Sequence, residues 1–132
     1  MKEILHILEL LKRQAEAALA TKTKRKVDAL ESIEQIKRNM LEMGRQYAAH
    51  AEGMVYEQWC NHQRRSQAQI QDAIPILEQD ILLAFKKLET VQAKLMAAED
   101  LAAQQERKAR LEAEGVEEDA MLELSLLRRS LK

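Results

Sequence analysis

Ten apolar residues in the C-terminal half fall at alternating spacings of four and three: Ile70, Ile74, Leu77, Ile81, Ala84, Leu88, Val91, Leu95, Ala98 and Ala102. A stripe with that mean period of 3.5 keeps one edge of a helix turned toward a second helix wound around it. The pattern therefore predicts a coiled-coil seam rather than the broader face of a globular helix. The N-terminal segment carries the same alternation at Ile4, Leu8, Leu11, Ala15 and Ala18. Paired in order with Ala102, Ala98, Leu95, Val91 and Leu88, each gives residue numbers totalling 106. An antiparallel hairpin folded about Gly53 follows.

Side-chain size agrees with this register. Ile4 would face Ala102, Leu8 would face Ala98, Ala15 would face Val91 and Ala18 would face Leu88, so large residues meet small ones and the helices can approach closely. Leu11 opposite Leu95 is the one large pair. Further along the first helix the next strict positions are Lys22, Arg25, Ala29 and Ser32, while the larger apolar residues are Val27, Leu30 and Ile33. Ile36, facing Ile70, returns to the pattern. A shift of heptad phase beginning in the run Lys22 to Lys26 would accommodate this without ending the supercoil.

The rest of the composition narrows the class to all-α. Aromatics are 3% of the chain, charged residues are 33%, and there are one Pro and three Gly, so a thick core is out of reach and little breaks a helix. The expected fold is a long two-helix antiparallel coiled-coil hairpin with a longer C-terminal helix, one unit over 1–132. Helix 1 is expected over about 2–50, the bend over about 51–56 and helix 2 over about 57–130. Pro75 removes one backbone donor and predicts a kink near residues 71–75. A net charge of −1 gives no field that would draw nucleic acid or an anionic membrane. The basic run Lys22, Lys24, Arg25, Lys26 reads as a solvated face.

Neither a secretory segment nor a membrane span is expected, because His6 and Glu9 interrupt the apolar start well short of the about 20 residues a span needs. Cys60 stands alone, reads as a small apolar residue near the turn and fits a reducing, cytoplasmic setting. His6, His50 and His62 have no ligand-spaced Cys or carboxylate partners, and there is no Gly-rich phosphate loop. No catalytic, cofactor-binding or metal-binding residue is therefore nominated, and the expectation is a protein that is not an enzyme.

Two regions are candidates for partner binding. Gly44 and Gly53 bracket Tyr47 to Ala51, and Met54, Val55, Tyr56 and Trp59 follow at once, gathering aromatic residues at the bend. That cluster either caps the open end of the seam or anchors a partner. At the other end a total of 106 leaves everything after about residue 105 without a counterpart in the chain, some 27 residues or about 40 Å of helix. Leu111, Val116, Ala120, Leu124, Leu127 and Leu131 recur there at roughly helical intervals. A stripe of that length is expected to be buried against something else.

With the hairpin, the run Trp59-Cys60-Asn61-His62-Gln63 after the bend, the step Leu77-Glu78 and a longer C-terminal helix carrying Glu112, Glu114, Glu117, Glu118 and Asp119, the chain resembles the central-stalk proteins of type III secretion and flagellar export ATPases. Pro75 departs from that pattern, as does the lack of an aromatic near His62. The resemblance implies a rotor-shaft-like role at the cytoplasmic base of a membrane secretion apparatus. The paired chain ends would enter the pore of a hexameric secretion ATPase and the bend would meet the cytosolic ring of the export gate. On this sequence the ATPase contact would fall to Leu111, Val116, Leu124, Leu127 and Leu131 with the turns after Ile4, and the gate contact to Tyr56, Trp59, His62 and Gln63. Some members of the family also bind export chaperones. The rival readings are a coiled-coil chaperone, escort or adaptor for secretion substrates, and a scaffold that dimerises through the overhang.

Overall fold

Between residues 2 and 47 only Gly44 lacks a side chain and no proline interrupts, so a segment rich in Leu, Ala, Glu and Lys has every reason to be one helix. In the computed structural model, which describes residues 1–47 and 53–131, it is: α1 runs Lys2–Tyr47 and α2 runs Gly53–Ser130. The described residues form an all-α hairpin of two long helices, the second of 78 residues against 46. Glu3 in the first turn of α1, Arg45 in its last, and Arg128 and Arg129 in the last turn of α2 suit the helix dipoles.

One local boundary differs from expectation. Residues 53–56, expected in the bend, are the first turn of α2; the remainder of the bend and the end of helix 1, at 48–52, lie outside the described residues. α2 stays helical through Pro75. Pro75 is exposed, next to the half-buried Ile74, so the carbonyl that loses its donor lies on the outer face where water can reach it. No described helix is long and apolar enough to cross a membrane.

The chain divides into two compact units, Leu11–Val91 and Met1–Leu10 with Gln92–Lys132. All ten expected seam positions of α2 are buried or half-buried, and the line extends back through Gln67, Gln63 and Cys60 to Tyr56. On α1 the seam takes another phase. Its sheltered positions are Leu5, Leu8, Lys12, Ala15, Leu19, Lys22, Lys26, Ala29, Ile33, Ile36, Met40 and Met43, spaced alternately three and four without a break. The expected positions Ile4, Leu11 and Ala18 are exposed at its flank, and the shift of phase near Lys22 is absent.

The register follows from the contacts. In the unit Leu11–Val91, Lys22 Nζ lies 3.8 Å from Asp80 Oδ2 and Lys26 Nζ lies 3.3 Å from Glu78 Oε1, pairs totalling 102 and 104. Tyr47 and Tyr56, totalling 103, stack with ring centroids 6.3 Å apart. A total of 103 also matches every sheltered position of α1 in that unit to one of α2: Ala15 to Leu88, Leu19 to Ala84, Ala29 to Ile74, Ile33 to Ile70, Met43 to Cys60. Considered by itself, the other unit fits the same total, with Leu5 matched to Ala98 and Leu8 to the buried Leu95. The expected total of 106 is thus corrected by three.

Size pairing could not separate the two registers, because large and small residues alternate in both. The observed one keeps a single phase along α1 by accepting three lysines in the seam. Each lysine leaves it by its long stem and reaches a carboxylate: Lys12 finds Glu16 on its own helix at 3.8 Å, and Lys22 and Lys26 reach across to α2. These partly exposed pairs contribute at most about 1 kcal/mol each. Lys22 and Lys26 also bear on register, since a slipped pairing would carry Asp80 and Glu78 away from them.

Candidate functional sites

At the start of α2 the aromatic residues stack in series. Tyr56 lies against Tyr47 and, at 6.1 Å between centroids, against Trp59. With Met43 and Val55 these rings line a cleft of about 170 Å³. The Tyr56 hydroxyl donates to the Met40 carbonyl at 3.5 Å. It can do so because residue 44 is glycine, where a Cβ would lie 2.9 Å from that oxygen. The Cys60 thiol one turn on raises the Tyr56 pKa above its ordinary value of 10.0, partial burial adds to this and the charge of Arg64 opposes it.

The four residues nominated here differ in exposure. Tyr56 and Trp59 are half-buried and in contact. Gln63 is half-buried in the α2 seam line, and His62 is exposed beside it. Sequence reasoning missed Met40, Met43 and Gly44 as the α1 side of the cluster. The signal was available: Met40 and Met43 continue the three-four spacing from Ile33 and Ile36.

The second region is the end of α2. From Ala103 to Leu131 every residue but Gly115 is exposed, so the overhang is helical without cover from the chain. At 100° per residue Val116, Ala120, Leu124, Leu127 and Leu131 fall within an arc of about 80°. Leu111 does not join them. It lies about 180° from the centre of that arc, on the side of Leu122 and Leu126. Ala109 and Ala113 extend the main stripe, and its spacings from Ala109 to Leu131 run four, three, four, four, three, four. That is an 11-residue period, which winds slightly right-handed where the seam's 7-residue period winds left-handed.

Among the described residues no three His, Cys, Asp or Glu side chains gather where they could hold a metal ion. What the two regions can offer is apolar and aromatic surface with charged margins, the chemistry of contact with another macromolecule. Comparison with family models, curated proteins and solved structures finds no match to this chain.

Proposed function

We propose that this chain is a non-catalytic central stalk of a type III secretion or flagellar export apparatus, coupling a hexameric ATPase to the export gate. The observation that carries the reading is the exposed end of α2, which bears apolar residues on two opposite sides: Val116, Leu124, Leu127 and Leu131 on one, Leu111 and Leu122 on the other. A helix enclosed by a ring meets protein all round, and apolar surface on both sides suits that better than docking on a flat face. The gate contact falls to the exposed Val55 and the half-buried Trp59, with Tyr56 behind them and His62 alongside. Gln63 acts as a seam residue in this reading.

The test is hydrolysis by the cognate secretion ATPase. The intact chain should stimulate it, and a variant lacking residues 111–132 should not. Trp59→Ala should stimulate normally yet lose secretion, because the two contacts lie on different parts of the chain. A chaperone or adaptor would instead lose client binding with either change. Absence of stimulation by the intact protein overturns the stalk reading.

A further inference from the structure

We propose that the main apolar stripe at the end of α2 is also a surface for a second copy of this chain, two overhangs packing antiparallel about a two-fold axis at Leu124. The stripe is its own complement. Reversed about Leu124, Val116 meets Leu131 of the second copy and Ala120 meets Leu127, pairs that each total 247, with Leu124 against itself at 248. The five layers hold one register because the spacings four, four, three, four nearly mirror themselves. Ala120 faces the larger Leu127, as small faces large at several seam positions, while Leu124 meets itself.

Charge complements the arrangement along one edge. Glu117 and Arg128 lie on one edge of the stripe, about 60–80° from its centre line. In an antiparallel pair like edges meet, so Glu117 of each copy faces Arg128 of the other, and symmetry forms the contact twice. On the other edge Glu123, which totals 246 with itself, meets its counterpart near the axis, one repulsion against the two Glu117–Arg128 attractions. The exposure of these residues, Leu124 at 60% and Leu127 at 58%, leaves the face open to a second copy.

Five layers make a small interface, so the dimer is reversible and concentration-dependent. It covers the face that the stalk reading gives to the ATPase, and the two occupants exclude each other. Self-association is measured without any ATPase, so this inference and the stalk reading stand or fall separately.

The experiment is sedimentation equilibrium of the full chain over about 10 to 500 µM at low and high salt, the range suited to a weak interface. A monomer–dimer equilibrium weakened by salt is expected. Glu117→Arg or Arg128→Glu alone should weaken it about tenfold or more, and the double exchange should restore it. In a Cys60→Ser background, Leu124→Cys should give a disulfide-linked dimer readily, while Val116→Cys should not, since only position 124 meets itself. A chain that stays monomeric throughout overturns the inference. So do equal crosslinking at 116 and 124, which would mean a parallel pair, and a double exchange that fails to restore association.

Discussion

Gly44 and Tyr56 show how one residue sets the geometry of a site. Gly44 sits in the middle of a helical turn and carries no positive φ, so its backbone does not demand glycine. What demands it is the Tyr56 hydroxyl, 2.9 Å from where a Cβ would be. Gly44→Ala gains about 1 kcal/mol of helix propensity and loses much of it by displacing the phenol. In a Tyr56→Phe background the obstruction is gone, so the same change should stabilise by the fuller amount. A double-mutant cycle read by thermal unfolding should therefore be non-additive, with alanine better tolerated at position 44 once the hydroxyl is removed. Additive effects would mean the contact does not constrain the helix. None of this is legible in sequence: Gly44 reads there only as a break, because its partner is contributed by the other helix.

At the scale of the helix, α2 was legible from Ile70 to Ala102, though not back through Gln67 and Gln63, and α1 was not. All ten α2 seam residues are apolar, so their phase is unambiguous. On α1 two phases compete over the first five turns, since Ile4, Leu11 and Ala18 are as apolar as Leu5 and Leu19. The phase that wins is decided by distant residues, Ala29 through Met43, and it runs through Lys12, Lys22 and Lys26. Hydrophobicity alone rejects those lysines; their stems and the carboxylates of Glu16, Asp80 and Glu78 admit them. The register can be measured inside the unit Leu11–Val91. In a Cys60→Ser background, Ala15→Cys with Leu88→Cys should oxidise quickly within one chain, because matched seam positions bring Cβ atoms toward bonding range. Ala15→Cys with Val91→Cys, the pair expected from a total of 106, should oxidise more slowly. The reverse order of rates would restore the total of 106.

Taken as a whole, the molecule is two helices of unequal length, and the inequality was readable from sequence because it needs only the end of the seam. Which overhang residues act together was not readable from rough helical spacing, since Leu111 falls on the far side while Ala109 and Ala113 join the stripe. The distinction between seam and overhang has a direct measure within the unit Met1–Leu10 with Gln92–Lys132. Leu95 is 7% exposed and Leu124 is 60% exposed, although both are leucines on one continuous helix. Leu95→Asp places a carboxylate among apolar side chains with no cation provided for it, at a cost of several kcal/mol. Its melting temperature and helicity should both fall. Leu124→Asp exposes to water a group that was already in water, so at low micromolar concentration its melting temperature should stay near that of the parent. Equal losses from the two substitutions would mean that the end of α2 folds onto its own chain, and the surface assigned to a partner would not exist.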